Sequence, residues 1–305
     1  MYFFGREVTV LQHRRSTVHS AAKPVSRKRK PLNKRRVKSV IRNSNKAHRY
    51  VIPTPQEETN PHIPTLSVII PAMNEEKTIG RVIRQALRIC RDSEVIAVVN
   101  GSTDGTAAAA QAAGARVLLY TEALGHDTGR RMGAAAARGK VLLFTDADIP
   151  IPAEQLAPYV QAILKGTDVA LNDYDGPVTR FPVHPVVEAK HVLNSILARP
   201  DLQGASMTAI PHALSRRALD AVGIHSLEAP PLALAKAVSS GLEVRAVHHV
   251  PVGKMNAVRV KRRSGPDPLS QVVLNDHLTA IRWITDKLGP RGGYSDLQRV
   301  RCLTR

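Results

Sequence analysis

The apolar positions of the chain fall into short runs separated by longer, periodic stretches. L-S-V-I-I at 66–70 is a run of strand length that stops at Pro71, and it predicts a buried strand. Ile79, Val82, Ile83, Ala86 and Leu87 then recur at helical spacing after the acidic opening Asn74-Glu75-Glu76. E-V-I-A-V-V (94–99) predicts the second strand, and Asp104 is placed to cap an alanine-rich helix that runs through Ala113. R-V-L-L-Y (116–120) predicts a third strand, residues 125–139 a helix, and K-V-L-L-F-T (140–145) a fourth strand. Strand and helix alternating with short connections predict a parallel sheet covered on both faces. Downstream the pattern predicts helices over 154–164, 185–198, 230–238 and 270–284, and strands over 168–174 and 243–250.

Right-handed crossovers place the C-terminal ends of the first strands along one edge. That edge collects residues 71–76, the turn N-G-S-T-D-G-T (100–106), and Asp146 and Asp148. Gly101 and Gly105 are expected to allow positive φ in the turn. In extended chain Asp146 and Asp148 share a face, and two like charges so close call for a cation. Hard oxygen donors suit Mg²⁺ or Mn²⁺ carrying a diphosphate. The plain alternative is a surface turn in which Asp caps the helix starting near Ala153.

Charge changes the picture only at the start of the chain. Residues 1–50 hold fifteen Lys and Arg against one acid, Glu7, and so carry +14 of the net +19 of the 305 residues. The basic balance thus belongs to a tail, expected to be disordered over 1–60, and not to the body. Such a tail could hold an anionic surface, RNA or an acidic partner, or simply be a solvated arm. Cys90 and Cys302 are the only cysteines, which fits a reduced, cytoplasmic protein, with peripheral membrane attachment through the tail left open. No apolar run reaches membrane-spanning length, and the M-Y-F-F start lacks the layout of a secretory signal.

P-A-M-N-E-E (71–76), N-G-S-T-D-G-T (100–106) and D-A-D (146–148), in this order and spacing, resemble the family 2 glycosyltransferases of GT-A fold. Together with G-A-S-M-T-A-I (204–210) they are most similar to the glucosyl-3-phosphoglycerate synthase branch. The resemblance covers about 66–255. It implies an α/β fold with a mostly parallel doubly wound sheet, a nucleotide half at 66–150 and an acceptor half at 151–290, followed by a polar tail at 291–305. It also implies a nucleotide-sugar donor, a UDP-sugar by family habit, and Mg²⁺ or Mn²⁺. By the same resemblance Pro71, Ala72, Met73 and Glu75 cradle the nucleoside, and Asn100 stands where many members carry an Asp that meets uracil. Gly125-His126 replaces a Gly-Lys of the branch, with Arg130 one turn on as a phosphate-side substitute. Asp148 is expected to be a catalytic residue and the direct metal ligand. Asp146 is expected to partner ribose or the metal, with Ala147 between them lining the donor.

In the acceptor half, Arg199, Gly204, Ala205 and Ser206 are the acceptor-binding candidates. Gly204 would allow close backbone approach and Arg199 would meet an acid or phosphate; an ordinary strand edge is the alternative for 202–210. His184, Lys190 and His191 fall on a helix that would border the acceptor. Glu228, the one acid between Asp220 and Glu243, is the catalytic candidate, either as general base or as acceptor contact. The branch has a metal-binding His after the last strand, whereas V-G-K-M-N (252–256) has none. His248 and His249 point to opposite faces by alternation, and Lys254 or Asn256 could act on the diphosphate. The basic stretch 257–268 reads as a loop that closes over a leaving nucleotide. The function expected is metal-dependent sugar transfer to a small, lipid or polymer acceptor, in a monomer or a homodimer. The alternative from another class is a non-catalytic nucleotide-binding module of the same fold, recruited to an anionic surface by the tail.

Overall fold

A computed structural model describes residues 62–125, 127–179, 181–255, 268–295 and 297. The basic tail, His126, Asn256 and the stretch 257–267 lie outside the described residues. Strands β1 (Leu66–Ala72), β2 (Ser93–Asn100), β3 (Arg116–Tyr120) and β4 (Val141–Phe144) alternate with helices α1 (Ile79–Ile89), α2 (Thr106–Ala112) and α3 (Thr128–Ala136). Then come α4 (Ala153–Leu164), β5 (Val169–Asn172), α5 (Pro185–Ile196), β6 (His212–Ser215), α6 (Arg216–Val222), α7 (Pro230–Ser239), β7 (Val244–His248), α8 (Val252–Met255) and α9 (Pro268–Leu288). Short 3₁₀ turns occupy Pro200–Leu202 and Ile224–Glu228.

One seven-stranded sheet has the order β3-β2-β1-β4-β6-β5-β7. Every pair is parallel except β4–β6 and β5–β6, so only β6 runs backwards. The expected α/β architecture is therefore present, with one antiparallel strand set into its middle. Sequence reasoning missed β6 and α6, because H-A-L-S is four residues long and is not an apolar run.

Alternation along β1 divides the core. Leu66, Val68 and Ile70 face α1, α2 and α4, while Ile69 faces α3, α6 and α7 with Val98, Leu142 and Phe144. All the residues of β4 are buried, as a strand covered on both faces must be. Gly133 sets the closeness of α3 to the sheet, since a Cβ there would lie 2.4 Å from Ile69 Cγ2. A smaller cluster of Leu193, Leu197, Ala235, Ala280 and Ile284 binds α9 to α5 and α7.

The parallel ladders bring the ends of β1, β2 and β4 to the same edge, with Ala72 opposite Val99 and Ile69 opposite Phe144. Because β6 is reversed, its first residue, His212, pairs with Phe144 at that edge as well.

Candidate active site

The loops leaving β1 and β2 are laced together by reciprocal bonds between side chain and backbone. Asn74 N–H donates to Ser102 Oγ at 3.1 Å, and Thr103 N–H donates back to Asn74 Oδ1 at 2.8 Å. Glu75 N–H meets Thr106 Oγ1 at 2.8 Å, Glu76 N–H meets Asp104 Oδ2 at 3.3 Å, and Gly105 N–H meets Glu76 Oε2 at 3.3 Å. Asn74 takes φ of +58°, a conformation that Asn tolerates better than most residues. Gly101 takes the expected positive φ, +63°. Gly105 does not; its missing Cβ instead admits the Glu76 carboxylate, which would lie 2.6 Å from it. Asp104 accepts from Thr106 N–H at 3.0 Å, the cap expected for α2, and its bonds to Thr106 hold its carboxyl below the usual range.

Pro71 and Ala72 end β1 on this edge, Ala72 buried and Met73 half exposed. Asn100, at the end of β2, is buried and accepts from Leu124 N–H at 3.2 Å. The first turn of α3 lies over both, since a Cβ on Gly129 would come 3.0 Å from Pro71 and 3.6 Å from Asn100 Nδ2. The four residues Pro71, Ala72, Met73 and Glu75 and the side chain of Asn100 are thus brought together.

Beyond β4, Thr145 N–H continues the ladder onto Ile69 C=O at 3.2 Å, and Ile149 and Ile151 anchor the following turn in the core. Between them Ala147 is buried, Asp148 is half-buried, and the Asp146 side chain is one-third exposed. Asp146 Oδ1 accepts from Arg130 Nη2 at 3.3 Å, and Arg130 Nη1 also bonds the carboxylate of Asp127. Arg130 is fully buried between these acids, and its Nε has no hydrogen-bond partner. Burial disfavours the guanidinium charge, but the two carboxylates more than offset it, so its pKa lies above the ordinary value. This placement differs from the expected one, which had Arg130 facing a phosphate. Asp127 went unnoticed in the sequence, although its i, i+3 spacing to Arg130 was visible.

Asp146 and Asp148 supply hard oxygen donors. Among the described residues no cluster of three or more His, Cys, Asp or Glu side chains is arranged to hold a metal. A donor set of two carboxylates fits a divalent ion whose remaining positions are filled by diphosphate and water oxygens. Neither histidine near β7 adds to it. His249 Nδ1 lies 2.5 Å from Asp173 C=O, and the ring of His248 packs edge-on to Tyr159. Lys254 sits exposed on α8.

The acceptor candidates are only partly brought together. Asn172, at the end of β5, donates to Ile210 C=O at 2.7 Å and Val250 C=O at 3.0 Å, and so ties the segment before β6 to the site edge. Gly204 N–H donates to Asp175 Oδ1 at 3.0 Å, and a Cβ on Gly204 would lie 2.8 Å from both Asp175 C=O and His191 Nε2. The approach that Gly204 permits is therefore made by the protein itself. Ala205 and Ser206 are buried, with Ser206 Oγ 3.5 Å from His277 Nε2 of α9. Arg199 is a correction. Its guanidinium grips Asp201 at 2.8 and 2.6 Å and donates to Val244 C=O at 2.7 Å, at the start of β7, the edge opposite the site. His184 caps α5 through its Nδ1, and Lys190 is buried on the same helix near Asp175.

Glu228 ends the second 3₁₀ turn and pairs with Arg131 Nε at 2.6 Å, on the residue next to Arg130. His212 stacks on Phe144 at 5.0 Å beside the end of β4, and burial first, then the Arg130 charge, push its pKa down to about 3. Nothing in a short H-A-L-S segment signalled that neutral ring.

The model of the glycosyl transferase family 2 matches residues 67–220, from β1 into α6. The chain belongs to this family. Glucosyl-3-phosphoglycerate synthase of Mycolicibacterium paratuberculosis is 37% identical over 117 residues, 35% of this chain and 36% of that protein. The dolichyl-phosphate beta-glucosyltransferase of Drosophila melanogaster is 34% identical over 130 residues, 34% of this chain and 40% of that one. The match spans little more than a third of either relative. The crystal structure of glucosyl-3-phosphoglycerate synthase from Mycobacterium tuberculosis superposes with a TM-score of 0.50 at 24% identity, covering 77% of this chain and 82% of that one, and shares the GT-A fold.

Proposed function

We propose that this family 2 member is a metal-dependent hexosyltransferase that moves a sugar from a nucleotide-sugar, a UDP-sugar, to an acceptor held by its second half. The observation that carries this reading is the meeting of three strand ends at one edge: the laced loops 71–76 and 100–106, and Asp146-Ala147-Asp148. Both curated relatives described above are named for glucosyl transfer to phosphate-bearing acceptors, and a small or lipid acceptor of that kind suits the reading.

Residues 66–150 would form the nucleotide half and 151–290 the acceptor half of one catalytic domain. Pro71, Ala72, Met73 and Glu75 would flank the nucleoside, with the buried amide of Asn100 reading the base, since an amide both donates and accepts. Asp148 would hold Mg²⁺ or Mn²⁺ directly, and Asp146 would meet the ion beside it or the ribose. Such an ion supplies charge neutralisation for the departing diphosphate. The rigid lacing of the two loops keeps the donor in place without reorganisation when charge develops. On the acceptor side, Glu228 would receive the hydroxyl proton or orient the acceptor, its carboxylate held in position by Arg131. The backbone of 204–206 would form the neighbouring wall.

Calorimetric titration with nucleotide-sugars, with and without Mn²⁺, followed by a donor-hydrolysis screen, tests the assignment. Asp148→Asn should keep the fold and lose metal-dependent turnover. Unchanged turnover in saturating Mn²⁺ would refute it. Nucleotide binding without any turnover would instead point to a binding module.

A further inference from the structure

α1 packs between α2 and α4 and buries Ile79, Val82, Ile83 and Ala86 against the sheet. Its outward side is a row of cations. Arg81, Arg84 and Arg88 recur at helical spacing, and Lys77 and Arg91 continue the row onto the turns before and after the helix. All five are exposed. Arg88 meets Glu154 of α4 at 2.6 Å, and among the described residues the other four form no ion pair. The neighbouring α2, T-A-A-A-A-Q-A, contributes no acid to this side. Glu76, at the head of the row, is taken up by Gly105 N–H, and Asp92, at its foot, by Thr65 N–H.

Between α1 and α2 the row borders a groove of about 290 Å³, walled by Lys77, Arg81 and Arg84 and floored by Gly80, Ala109 and Ala112. The missing side chain of Gly80 keeps it open, and Arg84 Nη1 lies 3.5 Å from where a Cβ of Gly80 would stand. One residue in the row is apolar. Leu87, 38% exposed, projects one turn on from Arg84. Cations alone would suit any polyanion, but a leucine set among them suits a bilayer surface. There the phosphates meet the charges, while the acyl boundary takes the leucine and the alkyl stems of Arg and Lys. A single-stranded nucleic acid calls for aromatic platforms, and neither α1 nor α2 carries an aromatic residue.

The chain outside the described residues adds to this surface. It enters them at His62, whose Nε2 lies 2.6 Å from Asp92 Oδ1, one residue beyond Arg91. The fifteen Lys and Arg of residues 1–50 are therefore tethered at the foot of the row.

We propose that the α1–α2 face is a docking surface for an anionic phospholipid bilayer, with the groove beside Lys77, Arg81 and Arg84 taking a lipid phosphate. The loops leaving β1 and β2 lie at the head of the row and not beneath it, so a domain docked along α1 keeps its site edge open. This surface works through charge and apolar contact, and its test requires neither donor nor metal.

The experiment is co-sedimentation of the full chain with vesicles of phosphatidylcholine alone, and of phosphatidylcholine with about one-third phosphatidylserine. The wild type should bind the mixed vesicles, weakly bind the neutral ones, and lose affinity as salt shortens the screening length. Each basic residue at an anionic surface is worth roughly fivefold in partition, so Lys77→Gln/Arg81→Gln/Arg84→Gln should lower binding by about tenfold or more. The control Lys140→Gln/Arg282→Gln/Lys287→Gln removes the same charge from other exposed positions and should change it by less than about threefold. Leu87→Ser should weaken vesicle binding and leave binding of a fluorescent single-stranded RNA unchanged. All these side chains are exposed, and an unaltered circular-dichroism melt confirms that each variant is folded. Equal losses in the two triple variants would assign binding to overall charge and overturn the proposal. So would the absence of any preference for phosphatidylserine, or an RNA affinity that falls with the α1 triple variant while vesicle binding does not.

Discussion

Replacing Lys190 with Met should stabilise the protein at neutral pH. The Lys190 side chain is 7% exposed on α5, and burial drives its pKa from the ordinary 10.5 down to about 8, with the Asp175 charge pulling weakly the other way. An unfolded chain keeps the proton up to pH 10.5, whereas the folded one releases it near 8. Between those values unfolding takes up a proton, so stability rises with pH across that window and is flat below it. At about 1.4 kcal/mol per pH unit, the buried ammonium costs the fold up to about 3 kcal/mol at pH 7. Met keeps an unbranched apolar stem in the same space and carries no charge, so most of that cost should be recovered.

Urea unfolding of wild type and Lys190→Met at pH 7 and near pH 10 checks this. The difference in stability should be roughly 2–3 kcal/mol at pH 7 and shrink as pH approaches 10.5. His277 offers a second readout. Burial mainly, and the Lys190 charge in addition, hold its pKa at about 4, and it should rise in the variant when followed by NMR. A variant that is less stable at pH 7, or one whose gain is the same at both pH values, would refute the account and show that the ammonium is favourably paired.

Two further outcomes are expected. Glu228→Gln preserves the shape that meets Arg131 and should leave nucleotide-sugar Kd within about twofold while transfer falls, by roughly 10²–10⁴-fold if the carboxylate is a general base; a large loss of donor affinity would remove it from the acceptor side. Gly133→Ala should cost about 1–3 kcal/mol in thermal or urea unfolding, since the new methyl would meet Ile69 at 2.4 Å and Val98 at 3.1 Å and lift α3 from the sheet; wild-type stability would show that α3 is free to shift.

The stretch from β1 to β4 was legible because its signals are local. β1, β2 and β4 are apolar runs with clear ends, and once a parallel sheet is inferred the ends of those runs must share an edge. Asn100, Asp146 and Asp148 follow without any knowledge of side-chain direction. Direction is what the sequence hid. Arg199 stands three residues before the 202–210 segment, and closeness in sequence suggested closeness in function. Its actual partner, Val244 C=O, comes 45 residues later at the opposite edge. The surroundings of Arg130 were hidden in the same way: α3 turns it inward, onto Asp127 and Asp146, and a pairing across 16 residues has no periodic signature.

The reversal of β6 explains why the segments after residue 150 could be listed but not resolved into contacts. β4 and β5 both deliver their ends to the site edge, so the chain leaving β5 at Asp173 starts there. Had the next strand been parallel, α5 would have been a simple crossover and residues 204–211 would have entered the sheet from the far side. Because β6 is antiparallel to both neighbours, the chain must come back to the same edge before His212, and it does so as the segment 203–211. Asn172 bonds both Ile210 and Val250 across this return, fixing two otherwise separate connections to the end of one strand. A single four-residue strand thus adds a second wall to an edge that an all-parallel order would leave with one. The identity of that wall, small residues packed around Asp175, His191 and His277, follows from crowding where three connections converge. That is why Gly204 reads in sequence as an invitation to a ligand, yet serves the protein's own chain.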